Sequence, residues 1–305
     1  MKIAVVIVSY RNVEDVTRCV DALSRSTHSA FEVVICENGG SAHAERMIEA
    51  IPAVLPGGQP VRVIHADNPG FAGGVNLGLR ATPDADAWWV LNPDTVPEPG
   101  AMAALAAVLT QGDCDAVGGI LHYADGRIQS LGGQWHGWLA RAGSLGAGGR
   151  LGDSIDPAMI AGQQDYLMGA SMLVSRSFLT VVGEMREDYF LYAEEIEWFL
   201  RAGRAGIKLG FAPDARVLHH QGTTTGWAND LRNRSRLPVY LDERNRIHVT
   251  RDHFPARLPV VAVLAPAYMV LRFARKRAWR QIGYGLQGWW AAMRGERGAP
   301  TWLGK

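Results

Sequence analysis

Cysteine is scarce in this 305-residue chain: Cys19, Cys36 and Cys114 are the only three, far apart and without CxxC or Cys/His spacing. An odd, scattered set argues against a disulfide framework or a zinc site and fits a reducing compartment. Long uninterrupted apolar runs are missing as well. The first run, residues 3–8, is shorter than a signal-peptide core and ends in polar Ser9-Tyr10-Arg11-Asn12, so no secretion signal is expected. No stretch reaches the roughly 20 apolar residues of a spanning helix. The expectation is a cytoplasmic protein. There is no internal repeat, and no nucleic-acid recognition motif, so nucleic acid is not expected as a partner. Net charge is nearly absent too, at +1, but it is unevenly spread. Residues 1–230 carry 16 Lys and Arg against 26 Asp and Glu, whereas 231–305 carry 15 against 4. A basic tail behind an acidic front points to an anionic partner for the tail.

Apolar residues make up 48% of the chain, enough for one large α/β domain and an appendage. In the first half, strand-like and helix-like periods alternate. Residues 3–8, 31–36, 61–65 and 87–91 read as strands, the first fully apolar as a buried parallel strand should be. Val13, Val16, Val20 and Leu23 have helical spacing, and helices are expected near 42–51 and 74–81. Pro97 and Pro99 open an alanine-rich helix. This pattern implies a doubly wound, mostly parallel, Rossmann-like α/β sheet with ligand loops at the carboxyl ends of its strands. Residues 124–164 are glycine-rich and read as a long loop or small hairpin region containing Trp135 and Trp138. Strand character returns at 166–174, helix at 194–205, and strand at 208–212 and 216–219. The domain expectation is 1–225 for binding and catalysis and 226–305 for a basic, amphipathic helical region.

The strand ends carry the chemistry. Ser9-Tyr10 follows the first strand, Glu37-Asn38-Gly39-Gly40 the second, and Asn68-Pro69-Gly70-Phe71-Ala72-Gly73-Gly74-Val75-Asn76 the third. Neighbouring loops at one sheet edge can hold a nucleoside. Tyr10 can pack on a base, Glu37 can accept a base or ribose hydrogen, and glycines let backbone N–H groups approach phosphates. The dinucleotide fingerprint is missing, because the first turn is Ser-Tyr-Arg-Asn and carries no glycine. The fourth strand ends in Asn92-Pro93-Asp94, an acid suited to a hard divalent cation that bridges a diphosphate. Glu194, Glu195 and Glu197 open a helix, where the helix dipole stabilises carboxylates, and Glu197 stands four residues before Arg201, the spacing of a helical ion pair.

Three segments in this order resemble family 2 glycosyltransferases, especially the rhamnosyltransferase-like branch: residues 68–78, Leu91-Asn92-Pro93-Asp94, and the run from Phe190 to Arg201. The similarity covers about 1–225 and continues in Tyr240, Arg244 and Asn245. The resemblance implies a GT-A fold, a nucleoside-diphosphate sugar donor (dTDP- or UDP-linked), a divalent metal (Mg2+ or Mn2+) and inversion at the anomeric carbon. It implies that Glu37, where aspartate is usual, contacts the base, and that Ser9, Tyr10, Asn68, Gly70, Phe71, Gly74, Asn76 and Asn92 complete the nucleotide-sugar site. It further implies that Asp94 and His219 hold the metal, and that Glu195, where aspartate is usual, is the general base. Trp135 and Trp138 stack on acceptor sugar rings or belong to the core, and Glu194 is expected toward the acceptor, with dTDP-L-rhamnose the favoured donor and a glycan or lipid-linked glycan the acceptor.

In the tail, residues 258–271 are largely apolar, interrupted by Pro259 and Pro266, and precede an arginine-rich run through Arg280 and then Trp289 and Trp290. That composition suits a helix lying in an anionic membrane interface. Packing on the catalytic domain, or across a homodimer, is the alternative. A non-catalytic sugar-nucleotide or glycan-binding module on the same fold is the competing function, and it would need neither Asp94, Glu195 nor His219.

Overall fold

The apolar run that opens the chain becomes β1 (Ile3–Ser9), every residue of it buried in the computed structural model, which describes residues 1–220 and 230–303. There follow α1 (Val13–Leu23), β2 (Phe31–Glu37), α2 (Ser41–Ala50), β3 (Val61–His65), α3 (Gly70–Ala81) and β4 (Ala87–Leu91). Next are β5 (Thr95–Pro97), α4 (Ala101–Thr110), β6 (Ala116–His122), β7 (Ile128–Ser130), β8 (Gly133–His136), β9 (Arg141–Ser144) and α5 (Pro157–Gln163). The sheet part of the chain closes with β10 (Ser171–Ser175), α6 (Arg176–Val182), α7 (Glu194–Arg204) and β11 (Leu209–His219). Three helices end the chain: α8 (Arg236–His253), α9 (Leu258–Arg275) and α10 (Trp279–Met293).

The main sheet runs in the order β3-β2-β1-β4-β10-β6-β11-β5, with β7 paired to β6. β1 pairs in parallel with β2 and β4, whereas β10 enters antiparallel between β4 and β6. The two-residue period of β1 divides the core. Ala4, Val6 and Val8 face α3, α6 and α7, and Ile3, Val5 and Ile7 face α1, α2 and α4. Burying one such aliphatic side chain is worth about 1.5–3 kcal/mol, so either face of this strand fixes the register. The expected doubly wound, mostly parallel sheet is what forms.

Several local expectations change. The glycine-rich run after β3 is helix from Gly70, four residues earlier than expected. Its glycines serve packing: a Cβ at Gly74 would lie 2.6 Å from Val8 Cγ1, and one at Gly78 would lie 2.3 Å from Val6 Cγ1. The strand expected over 166–174 begins at Ser171, because Tyr166 makes only an isolated bridge to Gly133. The two strands expected around 208–219 are one, β11, with an irregularity between Phe211 and Arg216. Residues 124–164 do contain a hairpin, β8–β9. Trp135 on β8 is core, 8% exposed, so its ring is not displayed to an acceptor. Trp138, between the two hairpin strands, is 57% exposed beneath the Arg257 guanidinium.

The expected boundary at 225/226 lies outside the described residues. Beyond it, α8 is built into the catalytic half rather than standing apart. Asn245 and Arg244 are buried and bond to the backbone of residues 189–192. The helix from Pro255 to Arg275 runs through both of its inner prolines. At 21 residues and a mean hydropathy of 1.5 it is long and apolar enough to cross a membrane by length and composition, which the count of apolar runs did not anticipate.

Candidate active site

The carboxyl ends of β1 and β2 lie side by side, with Ser9 paired to Glu37. Glu37 is fully buried, and its Oε1 accepts from the backbone N–H groups of Arg11 (2.8 Å) and Gly39 (2.7 Å). Those two donors hold the carboxylate and leave Oε2 without a protein partner. Ser9 Oγ and Asn38 Oδ1 are buried and unpartnered at the same edge. Buried polar atoms are normally hydrogen-bonded, so three orphans at one strand edge mark a place for a polar ligand. Tyr10 stands beside them, 38% exposed, with the Arg11 guanidinium 5.0 Å from its ring centre.

The start of α3 joins this edge to the catalytic segment. Asn68 and Gly70 both have left-handed backbone, φ 49° and 81°. Gly70 O accepts from Asn38 Nδ2 (2.8 Å), and the Phe71 N–H donates to Phe190 O (2.7 Å). A Cβ at Gly70 would lie 2.2 Å from Phe190 O, so only glycine permits the approach. Asn76 is engaged inside the fold. Its Nδ2 donates to Met185 O (2.9 Å) and Glu187 Oε1 (3.0 Å), and its Oδ1 accepts from Met185 N (3.0 Å). This corrects its expected place at the nucleotide: it pins α3 to the turn before α7. Gly74, packed on Val8, likewise serves the helix–sheet contact rather than a phosphate cradle.

The segment leading into α7 is strained. Phe190, Tyr192 and Ala193 have φ of 68°, 71° and 65°. Such residues cost on the order of 1–3 kcal/mol each and persist only where the surroundings enforce them. The enforcement comes from α8. Asn245 Nδ2 donates to Tyr189 O (3.0 Å), Leu191 O (2.9 Å) and Tyr192 O (2.7 Å), and Arg244 Nη2 donates to Tyr189 O (3.2 Å). Arg244 Nε in turn holds Asn245 Oδ1 at 2.9 Å. Arg244 and Asn245 thus fasten residues 189–193, a strap that leads into α7.

The strap delivers three acids to three environments. Glu197 is 2% exposed and meets Arg201 through both carboxylate oxygens (3.0 Å each), with His253 Nε2 3.5 Å away. Burial works against its charge, but the His253 and Arg201 contacts outweigh that and hold its pKa below the usual range. Glu194 is 3% exposed, and burial together with neighbouring Glu195 raises its pKa well above the usual carboxylate value. Glu195 is partly buried. Desolvation, opposed by helix N-terminal amides and aided by Asp242, pushes its pKa up to about 7. That is where a general base working near neutrality should titrate.

Glu195 and the tip of β4 both approach the short stretch Gly169–Ala170. The Glu195 Cδ lies 3.7 Å from where a Gly169 Cβ would be, and the next residue, Ala170, accepts from Asn92 N (3.0 Å). Two residues on, Asp94 meets His219, brought alongside by the antiparallel pairing of β5 with β11. His219 Nε2 is 3.3 Å from Asp94 Oδ1, and both residues are 8% exposed. On the other side of the ring, Nδ1 is 2.6 Å from Gln129 Oε1. A carbonyl oxygen only accepts, so Nδ1 carries the hydrogen of that contact and Nε2 is the ring nitrogen beside Asp94. An imidazole nitrogen and a carboxylate side by side are ligand types that fit Mg2+ or Mn2+. Among the described residues no group of three or more His, Cys, Asp or Glu forms a fuller metal site. Gln129 was missed in the sequence because β7 is a short strand in a glycine-rich stretch and carries no motif of its own.

Residues 1–237 match the family model described as glycosyltransferase like family 2. The chain belongs to that family. Among curated relatives, the low-salt glycan biosynthesis hexosyltransferase of Haloferax volcanii is 25% identical over 88% of this chain and 84% of its own. The N-acetylglucosaminyl-diphospho-decaprenol L-rhamnosyltransferase of Mycobacterium tuberculosis is 28% identical over 73% of this chain and 77% of its own. These relatives support the rhamnosyltransferase-like branch. Among solved structures, S. aureus TarS 1–349 in complex with UDP-GlcNAc superposes with a TM-score of 0.58 at 13% identity, covering 96% of this chain and 81% of that one. GalNAc-T7 with UDP, GalNAc and Mn2+ gives 0.59 at 14% identity, covering 83% of this chain but only 54% of that one. The fold is thus that of GT-A glycosyltransferases, and the family 2 member is a transferase.

Proposed function

We propose that this family 2 glycosyltransferase moves a hexose, with inversion, from a nucleoside-diphosphate sugar to a hydroxyl of a glycan or lipid-linked glycan, and that L-rhamnose from dTDP-L-rhamnose is the favoured donor. The observation that carries it is the placing of Glu195 at the start of α7, behind the strained residues 190–193 and beside Gly169, whose neighbour Ala170 bonds to Asn92 two residues before the Asp94–His219 pair. A binding module has no use for a base placed in this way. The rhamnosyl assignment rests on the Mycobacterium relative and its branch.

Glu37 Oε2 accepts the imide N–H of a thymine or uracil ring, Ser9 and Asn38 take polar atoms of the nucleoside, and Tyr10 covers the base. Asn68, Gly70, Phe71 and Asn92 border the sugar and diphosphate. Asp94 and His219 would hold Mg2+ or Mn2+, which when bound supplies positive charge against the departing diphosphate. The Glu195 carboxylate removes the proton of the acceptor hydroxyl as that oxygen bonds to C1 of the sugar and the bond from C1 to the diphosphate oxygen breaks. Glu194 stands behind Glu195 as a neutral support, and Glu197 fixes α7 through Arg201.

The reading includes the inner face of the cytoplasmic membrane as the workplace. On α9, Val263 and Leu271 are 68% and 50% exposed, and Trp279 and Trp290 on α10 are 64% and 52% exposed, beside Arg272, Arg275 and Arg280. Apolar and tryptophan side chains edged by arginine suit an anionic interface. Screening dTDP-, UDP- and GDP-sugars for thermal stabilisation and for hydrolysis, with and without Mg2+ or Mn2+, tests the donor reading. No response to any nucleotide sugar would overturn it. Sedimentation with anionic and neutral vesicles at rising salt tests the membrane reading, and equal binding to both would remove it.

A further inference from the structure

The strap that leads to Glu195 is held on two sides, and both lie beyond residue 237, where the family match ends. One side is α8, through Arg244 and Asn245. The other is the segment that follows α10, residues 297–303. The Gly298 N–H donates to Asp188 O (2.6 Å), and Gly298 O accepts from Arg244 Nη1 (2.7 Å). Arg244 thus has one guanidinium nitrogen on Gly298 and the other on Tyr189 O, so a single fork joins the segment to the strap. Arg297 makes a second joint. Its Nη2 donates to Asp252 Oδ1 (2.6 Å), and its Nη1 is 3.2 Å from Asp188 Oδ2. Asp252 Oδ2 accepts in turn from the Tyr189 hydroxyl (2.8 Å) and from Arg186 Nη1 (2.7 Å).

These bonds converge on one place. Asp188 and Tyr189 stand immediately before the left-handed residues 190, 192 and 193, and Tyr189 is fully buried, with the Arg297 guanidinium 5.6 Å from its ring centre. Buried Phe190 shares an apolar cluster with Tyr240, against which Trp302 packs edge-on at 5.6 Å. Burial opposes the Asp252 charge, but the Arg297, Tyr189 and Arg186 contacts outweigh it and hold the pKa below the usual range. That carboxylate is therefore ionised where both arginines need it. Arg294, just before the segment, is exposed and pairs instead with Glu296 (2.9 Å). Strained backbone persists only where its surroundings over-determine it. Here α8 takes the carbonyls of the strap, while Gly298 and Arg297 fix the residues that enter it.

We propose that residues 297–303 clamp the catalytic strap, and that Arg297 is a positioning residue which acts on Glu195 through Asp188 and Tyr189. This rests on the reading of Glu195 as the base and adds the element that holds it in place. A segment remote in sequence from the donor loops is then part of what turnover requires.

The first test reads the strap directly and needs no substrate. Hydrogen–deuterium exchange of the full chain is compared with that of Arg297→Gln. Amides of residues 190–197 should exchange about tenfold faster or more in the variant, the scale of one lost charge-assisted contact, while those of β1, β2 and β4 keep their rates. Equal rates at 190–197 overturn the proposal. A rise of the same factor throughout the sheet overturns it too, by making Arg297 a general stabiliser. Arg297→Lys keeps the charge but not the fork, so a smaller local rise is expected, and this variant carries the test if the glutamine variant does not fold. The second measurement is turnover, read as hydrolysis of dTDP-L-rhamnose, beside titration with dTDP. In Arg297→Gln kcat should fall by about 10- to 100-fold, the scale of a small misplacement of a catalytic group. The fall should be smaller in Arg297→Lys and absent in Arg294→Gln, while dTDP affinity holds in all three. Unchanged kcat in Arg297→Gln, a parallel loss of dTDP affinity, or an equal fall in Arg294→Gln overturns the positioning role. If the unmodified chain turns over no nucleotide sugar, the glycosyltransfer reading fails, and exchange at 190–197 alone decides the clamp.

Discussion

At the carboxyl ends of β1 and β2, Ser9 Oγ, Glu37 Oε2 and Asn38 Oδ1 are buried and unpartnered, whereas every carbonyl from Tyr189 to Tyr192 is taken by Phe71, Arg244 or Asn245. The first region keeps hydrogen-bonding capacity in reserve at a sheet edge. The second spends it all to hold a backbone that would not otherwise stay as it is. The difference separates two tasks. A ligand must be able to supply what the donor edge lacks, while a base must be fixed before the ligand arrives. Substitutions on the two sides should therefore fail differently, the first in nucleotide affinity and the second in turnover.

The largest expected effect is at Glu195. Glu195→Gln keeps size and much of the hydrogen bonding but cannot take a proton, so kcat should fall by about 10² to 10⁴ while donor affinity stays. Because burial pushes the Glu195 pKa up to about 7, kcat/KM of the unmodified enzyme should decline as pH drops through that value, when the carboxylate gains its proton. Near-normal turnover in Glu195→Gln with collapse in Glu194→Gln would move the base by one residue.

Next is the strap itself. Asn245→Ala withdraws the amide that serves three buried carbonyls. Leaving buried acceptors unsatisfied costs about 1–3 kcal/mol each before relaxation, so a loss near 3 kcal/mol in urea unfolding is expected. The comparison is sharpened by the split: kcat should drop together with stability while nucleotide affinity holds. A variant that loses nucleotide affinity first would show the two regions to be one unit.

A smaller effect is expected at Gln129, which sets the tautomer of His219. Losing such a partner of a metal-binding histidine typically costs 10- to 100-fold in metal affinity. Mn2+ titration by calorimetry, with a nucleoside diphosphate present, should give that loss in Gln129→Ala and abolish binding in Asp94→Ala. Unchanged Mn2+ affinity in both would remove the Asp94–His219 assignment.

The same contrast explains what the sequence made legible. Most strands and helices up to residue 110 follow from apolar runs and helical spacing, because a central parallel sheet leaves each element locally recognisable; β5 does not, since Pro97, expected to open a helix, ends that strand and α4 starts at Ala101. The strand-end loops were legible for the same reason. The antiparallel entry of β10 was not, since nothing local in Ser171–Ser175 says which strands it joins. Asn76 and Gly74 looked like ligand contacts because asparagine and glycine in a loop usually serve turns and ligands. Their partners, Met185 and Val8, are known only once the chain is folded. Trp135 was open between acceptor and core, since a lone tryptophan in a glycine-rich stretch says neither, and β8 turns it into the core. The three acids were placed correctly on α7, but only their partners separate a tuned base from an ion pair.

The smallest effect expected is on stability at Glu194, and it has a definite sign. Glu194 is 3% exposed with Oε2 unpartnered, and burial with neighbouring Glu195 raises its pKa well above 4.5. A folded-state pKa above the unfolded value means that the folded chain binds the proton more tightly. The favourable contribution is complete below the unfolded pKa and is lost as pH rises toward the folded one. Near neutral pH and above, the wild-type chain therefore bears a cost for this carboxyl that a neutral amide avoids. Glu194→Gln should melt a few degrees higher than wild type at pH 8, about 1–2 kcal/mol on the scale of one buried polar group, with the difference shrinking toward pH 4.5. Glu197→Gln should do the reverse. Its carboxylate is held below the usual range by His253 and Arg201 against the cost of burial, so the substitution discards a favourable charge and lowers the melting temperature at pH 8. Melting curves of the three proteins across pH 4.5–8 separate the two acids. Parallel curves for Glu194→Gln and wild type would mean that folding does not raise the Glu194 pKa, and the neutral support role assigned to it beside Glu195 would go with it.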